Sequence, residues 1–178
     1  MGKRGVTSTK EGSKIGLDSY LKAETYVGGW DHYGPEGKEK YRAILEASGL
    51  PDLACEGSPS LEVSVTVAYW RKANQIHDWF VRNVQNGVDE CEPHEVSRDQ
   101  LEDLLSLCRN LKALQGVENE AEEVRNYLPP AEGFFFGSTE IDEWYWQDID
   151  ETIEQLTKVL AHKLGEHEYL RFVYQSSW

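Results

Sequence analysis

The sequence predicts an α+β fold: a small, mainly antiparallel sheet of three to five strands with three long helices packed on one face. Three observations predict it. Stretches with two-residue hydrophobic alternation are few, and longer stretches of helical periodicity separate them. The elements run β-α-β-α-α-(β)-α-β, and the adjacent helices argue against a doubly wound parallel sheet. The chain has 178 residues, 39% of them hydrophobic, with six Trp, nine Tyr and five Phe, which is enough for one packed core.

Residues 1–14, MGKRGVTSTKEGSK, are small, polar and basic, and they predict a mobile basic arm ahead of a single domain over 15–178. Without an apolar run they do not read as a secretory signal. Residues 19–27, SYLKAETYV, alternate and predict the first strand. Gly28-Gly29 breaks it, and GGWDHYGPEG reads as an aromatic-rich loop carrying Trp30 and His32. Residues 38–48 predict a short helix with Tyr41, Ile44 and Leu45 on one side, stopped by Gly49 and Pro51. LEVSVTVA, 61–68, is the cleanest strand pattern, with one face buried.

A helix over 70–86 follows. At 100° per residue, Trp70, Ala73, Ile76, His77, Phe80, Val81 and Val84 share a stripe. Arg71, Gln75, Asp78 and Arg82 fall opposite, with Asn74 and Asn83 at the stripe's edges. VDECEPHEV, 88–96, reads as an acidic loop. Residues 97–115 form a second long helix, opened by a Ser97/Gln100 capping box and a Val96/Leu101 staple. Its apolar face is Leu101, Leu104, Leu105, Cys108, Leu111 and Leu114. A short helix is expected over 120–127. AEGFFFGST, 131–139, reads as a buried strand or apolar hairpin arm. Thr139 then caps a third long helix, with Asp142 at its third position, reaching about residue 164. Its buried side is Tyr145, Ile149, Ile153, Leu156 and Leu160, and Gly165 ends it. Residues 168–175 predict the last strand. There is no internal repeat.

The net charge of −14 is uneven: residues 86–157 hold nineteen acids and four bases. Such a surface repels a phosphate backbone, so direct nucleic-acid binding is not expected. It favours a basic partner, or mimicry of a polyanion. The candidate partner surface is Asp99, Glu102 and Asp103 on the second long helix with Glu140, Asp142, Glu143, Asp150 and Glu151 on the third. The plainer reading is a solvated face. Three cysteines are too few and odd in number for a disulfide framework, which predicts a reducing, intracellular setting. No apolar run nears the roughly 20 residues a membrane span needs.

The candidate ligand-binding set is Trp30, His32, Arg71, Asn74, His77 and Asn83. A lone histidine on an apolar face is most often a satisfied core residue. The sharper alternative is a neutral, desolvated imidazole lining a pocket. Arg71 and Lys72 near a helix start need either acidic partners or an anionic ligand. Gly137-Ser138-Thr139 resembles an anion-binding turn, but Glu140, Asp142 and Glu143 crowd it, so plain capping is the better reading. Cys91–His94 has C-x-x-H spacing, only half of a zinc pattern. There is no GxSxG, P-loop or HExxH. No catalytic residue, metal or cofactor is predicted.

GLDSYL at 16–21, YVGGWDH at 26–32, AYWRKANQIHDWFVRN at 68–83, GFFFGSTEIDEWYWQDI at 133–149 and the closing YQSSW resemble a family of small proteins encoded by tailed bacteriophages. The resemblance covers most of residues 16–178. Members commonly begin near the Gly-Leu-Asp, so the basic arm reads as an extension. No activity or site residue comes with the resemblance. It implies a phage context: a bacterial cytoplasm, and a role in host takeover or evasion of host defence. Three functions follow as expectations. The first is a non-enzymatic inhibitor of a host defence system, meeting a basic host protein through its acidic surface as a nucleic-acid mimic. The second is a protein that sequesters a small ligand such as a nucleotide signal. The third is an enzyme with His77 as general base. No membrane association is expected.

Overall fold

The computed structural model describes residues 16–133, 136–163 and 169–178. Its elements are β1 (Asp18–Gly28), a short 3-10 turn (Asp31–Tyr33), α1 (Gly34–Ser48), β2 (Ser60–Arg71), α2 (Asn74–Asn83) and β3 (His94–Val96). Then come α3 (Arg98–Ala113), α4 (Glu120–Tyr127), α5 (Glu143–Ala161) and β4 (Leu170–Ser177). The four strands form one antiparallel sheet in the order β2-β1-β4-β3. The fold is therefore α+β with five helices among the described residues; α2 spans ten residues, shorter than the long helix expected over 70–86. The basic arm lies outside the described residues.

Alternation along β1 separates two environments. Leu21 on β1, Ala68 and Trp70 on β2, and Phe172 and Tyr174 on β4 join the core with residues of α2, α3, α4 and α5. The residues between them carry polar pairs. Arg171 meets Glu24 at 2.8 Å, Ser64 donates to Glu24 at 3.2 Å, and Lys22 donates to Gln175 at 3.1 Å. Cross-strand pairs of this kind hold a solvated sheet face together.

The largest departure from expectation lies at the end of β2. The strand does not stop at Ala68; it runs to Arg71, and the helix expected from Trp70 starts at Asn74. A bulge causes this. Leu21 pairs with Ala68 and Lys22 with Thr66, which leaves Val67 as the extra residue. The bulge reverses the inward parity, so Ala68 and Trp70 take the core positions instead of continuing the 61-63-65 series. Val65 is left 53% exposed while Trp70 is 1% exposed. Trp70 Nε1 donates to Thr152 Oγ1 at 2.9 Å. Lys72, at φ 59°, makes the left-handed corner, and its N–H donates to the Leu17 carbonyl.

The local helix signals hold elsewhere. Ser97 and Gln100 form the reciprocal capping box, with bonds of 3.1 and 2.9 Å, and Val96 and Leu101 are both buried. α4 matches its expected range. α1 begins earlier than expected, at Gly34. The cap of α5 is Asp142, not Thr139: its carboxylate accepts from Trp144 N at 2.9 Å and Tyr145 N at 3.1 Å. A carboxylate there satisfies orphan N–H groups and complements the helix dipole. The expected strand over 131–139 is absent among its described residues; Phe134 and Phe135 lie outside them. The expected helix end at Gly165 also lies outside; α5 ends at Ala161. β3, three residues inside the expected acidic loop, pairs with Phe172–Tyr174 of β4. At the open side of β2, the Gln155 side chain from α5 accepts from Tyr69 N at 2.7 Å and donates to Tyr69 O at 3.2 Å.

Candidate functional site

The six candidate ligand residues do not converge. Antiparallel pairing sets Arg71 beside Asp18, at the start of β1, so α2 and His77 lie at that end. Trp30 and His32 follow the other end. Nine strand steps from Ser19 to Gly28, at about 3.3 Å each, place roughly 30 Å between the two groups.

His77 is 1% exposed. Its Nδ1 lies 2.7 Å from the Tyr174 hydroxyl and its Nε2 3.1 Å from Asp89 Oδ1. The Tyr174 hydroxyl is 3.0 Å from Ser19 Oγ, and Trp178 Nε1 donates to Asp89 at 3.3 Å. The Phe80 ring stacks on Tyr174 at 3.9 Å, and Phe136 meets the imidazole edge-on at 5.0 Å. Burial holds the His77 pKa below the ordinary histidine value, against the opposing pull of Asp89. Burial also holds the Tyr174 phenol well above the ordinary tyrosine range. The proton positions follow. Asp89 only accepts, so Nε2 carries the hydrogen. In the neutral ring Nδ1 then accepts from Tyr174, whose oxygen accepts from Ser19. The relay runs Ser19 to Tyr174 to His77 to Asp89 and leaves the imidazole no open valence.

Asn74, also 1% exposed, is a strap. Its Nδ2 donates to Phe136 O at 3.1 Å and Ser138 O at 2.8 Å, and its Oδ1 accepts from Ala131 N at 2.9 Å. It thereby holds the segment that lays Phe136 over His77. Gly137, at φ 92°, permits the close approach; a Cβ there would sit 3.3 Å from Lys72 Cβ. Arg71 meets Asp18 at 3.2 Å, and the Tyr69 hydroxyl bonds the same carboxylate. Asn83 is exposed and donates to Trp79 O one turn back, at 2.7 Å.

Gln75 corrects the helical-wheel assignment. Placed on the solvent side by periodicity, it is 2% exposed and donates to Asp148 of α5 at 3.2 Å. α2 is covered nearly all round, so its charged-side stripe shrinks to Asp78 and Arg82. Asp148 and Gln75 line a cavity of about 240 Å³ with Lys72, Asp142 and Tyr145. No sequence signal marked this pair. Tyr174 falls within the expected last strand, but nothing in the sequence marked it as the partner of His77.

At the other end, Tyr26, Trp30, His32 and Tyr33 form a ring cluster. Centroid separations are 6.0 Å for Tyr26–Trp30, 6.1 Å for Trp30–His32 and 4.4 Å for His32–Tyr33. Trp30 is half-buried and the other three are exposed.

The candidate acidic surface divides unequally. On α3, Asp99, Glu102 and Asp103 share the helix with Arg98, Arg109 and Lys112, and Arg98 pairs with Glu102 at 3.1 Å. Lys112 also reaches across to Asp150 on α5 at 2.7 Å. Asp142 is occupied as the α5 cap, while Glu140, Glu143 and Glu151 are exposed. Residues 116–157, spanning α4 and most of α5, hold twelve acids and one base. His94 Nε2 lies 3.0 Å from Glu90, and Cys91 is exposed. Among the described residues no group of three or more His, Cys, Asp or Glu is placed to hold a metal ion, and no helix is long and apolar enough to cross a membrane.

No family model, curated protein or solved structure matches this chain.

Proposed function

We propose that the protein works by binding rather than by catalysis, and captures a basic protein surface through the exposed acids of residues 116–157. In the phage context implied by the sequence resemblance, that partner belongs to a host system, and these acids stand in for a nucleic-acid backbone. The observation that carries this reading is the concentration of twelve acids against one base in residues 116–157. α3, with equal numbers of acids and bases, contributes little field. Enclosed as it is, His77 has no ring nitrogen to offer a substrate, which favours binding over general-base chemistry.

Electrostatic capture is fast and salt-sensitive. The test is retention of basic proteins from bacterial lysate on immobilised protein at low salt, with release as salt rises. The combined variant Glu140→Gln/Glu143→Gln/Glu151→Gln should lose the captured protein, and Asp99→Asn/Asp103→Asn should keep it. Equal loss from both variants, or capture that resists salt, overturns the proposal.

A further inference from the structure

The aromatic cluster past β1 shares nothing with the acids of residues 116–157 and stands apart from the relay. We propose that it is a binding site for a planar, nitrogen-containing heterocycle of the nucleobase kind. The rings are seated, not splayed. A Cβ on Gly28 would lie 2.4 Å from Tyr33 Cε2 and 2.9 Å from Trp30 Cε3. A Cβ on Gly37 would lie 2.6 Å from Tyr33 Cβ. Both glycines thus clear space for rings that the packed core does not demand: Tyr26 is 36% and Tyr33 42% exposed. Tyr26, Trp30 and His32 hold nearly parallel planes, each neighbouring pair 17° apart. The stack braces Tyr26 from behind, and the exposed faces of Tyr26 and Tyr33 suit stacking by any base.

A cavity of about 290 Å³ opens beside Tyr26 and Tyr33, walled by these two rings with Gly28, Glu36, Gly37 and Lys40. It is the right order of size for one small ligand. Its polar groups are complementary to a nucleotide. The Glu36 carboxylate accepts from ring N–H groups, and the Lys40 ammonium meets a phosphate. Local charge permits the approach. Residues 26–42 hold three acids and three bases in a chain of net charge −14. A phosphate is therefore not repelled here as it is at α4 and α5.

Two sources supply this chemistry: a free nucleotide, or a base within a single strand. The experiment titrates the full chain with guanosine and adenosine monophosphates, their nucleosides, ribose 5-phosphate and a short single-stranded oligonucleotide. It reads aromatic fluorescence and thermal midpoint. The expected result is quenching and a raised midpoint with the nucleotides, a weaker response with nucleosides, and none with ribose 5-phosphate. Tyr33→Ala and Tyr26→Ala should each weaken binding about tenfold, the effect of losing one stacking face. Tyr33→Phe should bind as the parent does, which separates lost stacking from lost folding. Lys40→Ala should weaken nucleotide more than nucleoside. An oligonucleotide that binds more tightly than the mononucleotide assigns the site to strands; equal or weaker binding assigns it to free nucleotide. The proposal is overturned if no base quenches at concentrations on the order of 1 mM, a level at which even weak sites fill. It is equally overturned if ribose 5-phosphate binds as well, or if the tyrosine variants bind unchanged. Because lysate capture through α4 and α5 uses a different surface, failure of either idea leaves the other standing.

Discussion

The two ends of β1 carry similar chemistry in opposite states. At the Ser19 end a histidine, a tyrosine and flanking phenylalanines are sealed, and the imidazole and phenol are each satisfied by a protein partner. At the Gly28 end a histidine, two tyrosines and a tryptophan lean on one another and face solvent. In sequence the two clusters look alike. The difference teaches that ring content does not mark a site; the completion of each polar valence and the exposure of each ring face do.

The sharpest way to break this comparison is to truncate one ring at each end. Phe80→Ala, under the Tyr174 ring, should cost about 3–5 kcal/mol, whereas Tyr33→Ala should cost about 0.5 kcal/mol, both by urea unfolding. Similar losses would mean that the two ends are packed alike. Asn74→Ala should cost about 2–3 kcal/mol, since two carbonyls and one amide of the covering segment lose their partner. A loss below about 0.5 kcal/mol, the level of an ordinary surface substitution, would show the strap to be dispensable. Tyr174→Phe should cost about 1–2 kcal/mol, the removal of a hydroxyl joining two buried groups.

The smallest effect is a pH dependence. Burial lowers the His77 pKa in the folded state, so the unfolded chain binds this proton more readily. Stability from His77 is therefore complete above its ordinary value of 6.5 and falls as pH drops through the folded value. The slope between those values can reach about 1.4 kcal/mol per pH unit. In His77→Gln that component should vanish, checked by thermal midpoints from neutral to mildly acidic pH. A parent and variant with parallel profiles would show that His77 binds its proton equally well folded and unfolded, with no lowering of its pKa by burial.

Much of this fold was legible where the signal is local. The Ser97/Gln100 box, the α4 range and the leucine face of α3 depend on residues within a turn or two. The bulge at Val67 was not legible, because an extra residue preserves composition while reversing which residues face inward. β3 has one apolar residue, Val96, too little for any period. The Gln75–Asp148 pair is a contact across 73 positions, and no property of either residue announces it. The separation of Trp30 from His77 was within reach. Antiparallel neighbours set the end of the second strand beside the start of the first, away from whatever follows Gly28.

Gln155 has a consequence for the sheet as a whole. Its amide gives Tyr69 one acceptor and one donor, the same pair an additional strand would supply. One side chain thus terminates the ladder at that rung. An exposed strand edge is a template for growth into fibrils or for unwanted partners. By covering the rung that follows the bulge, the glutamine confines such growth at the β2 edge to the stretch of strand before it, and gives α5 the task of closing that edge.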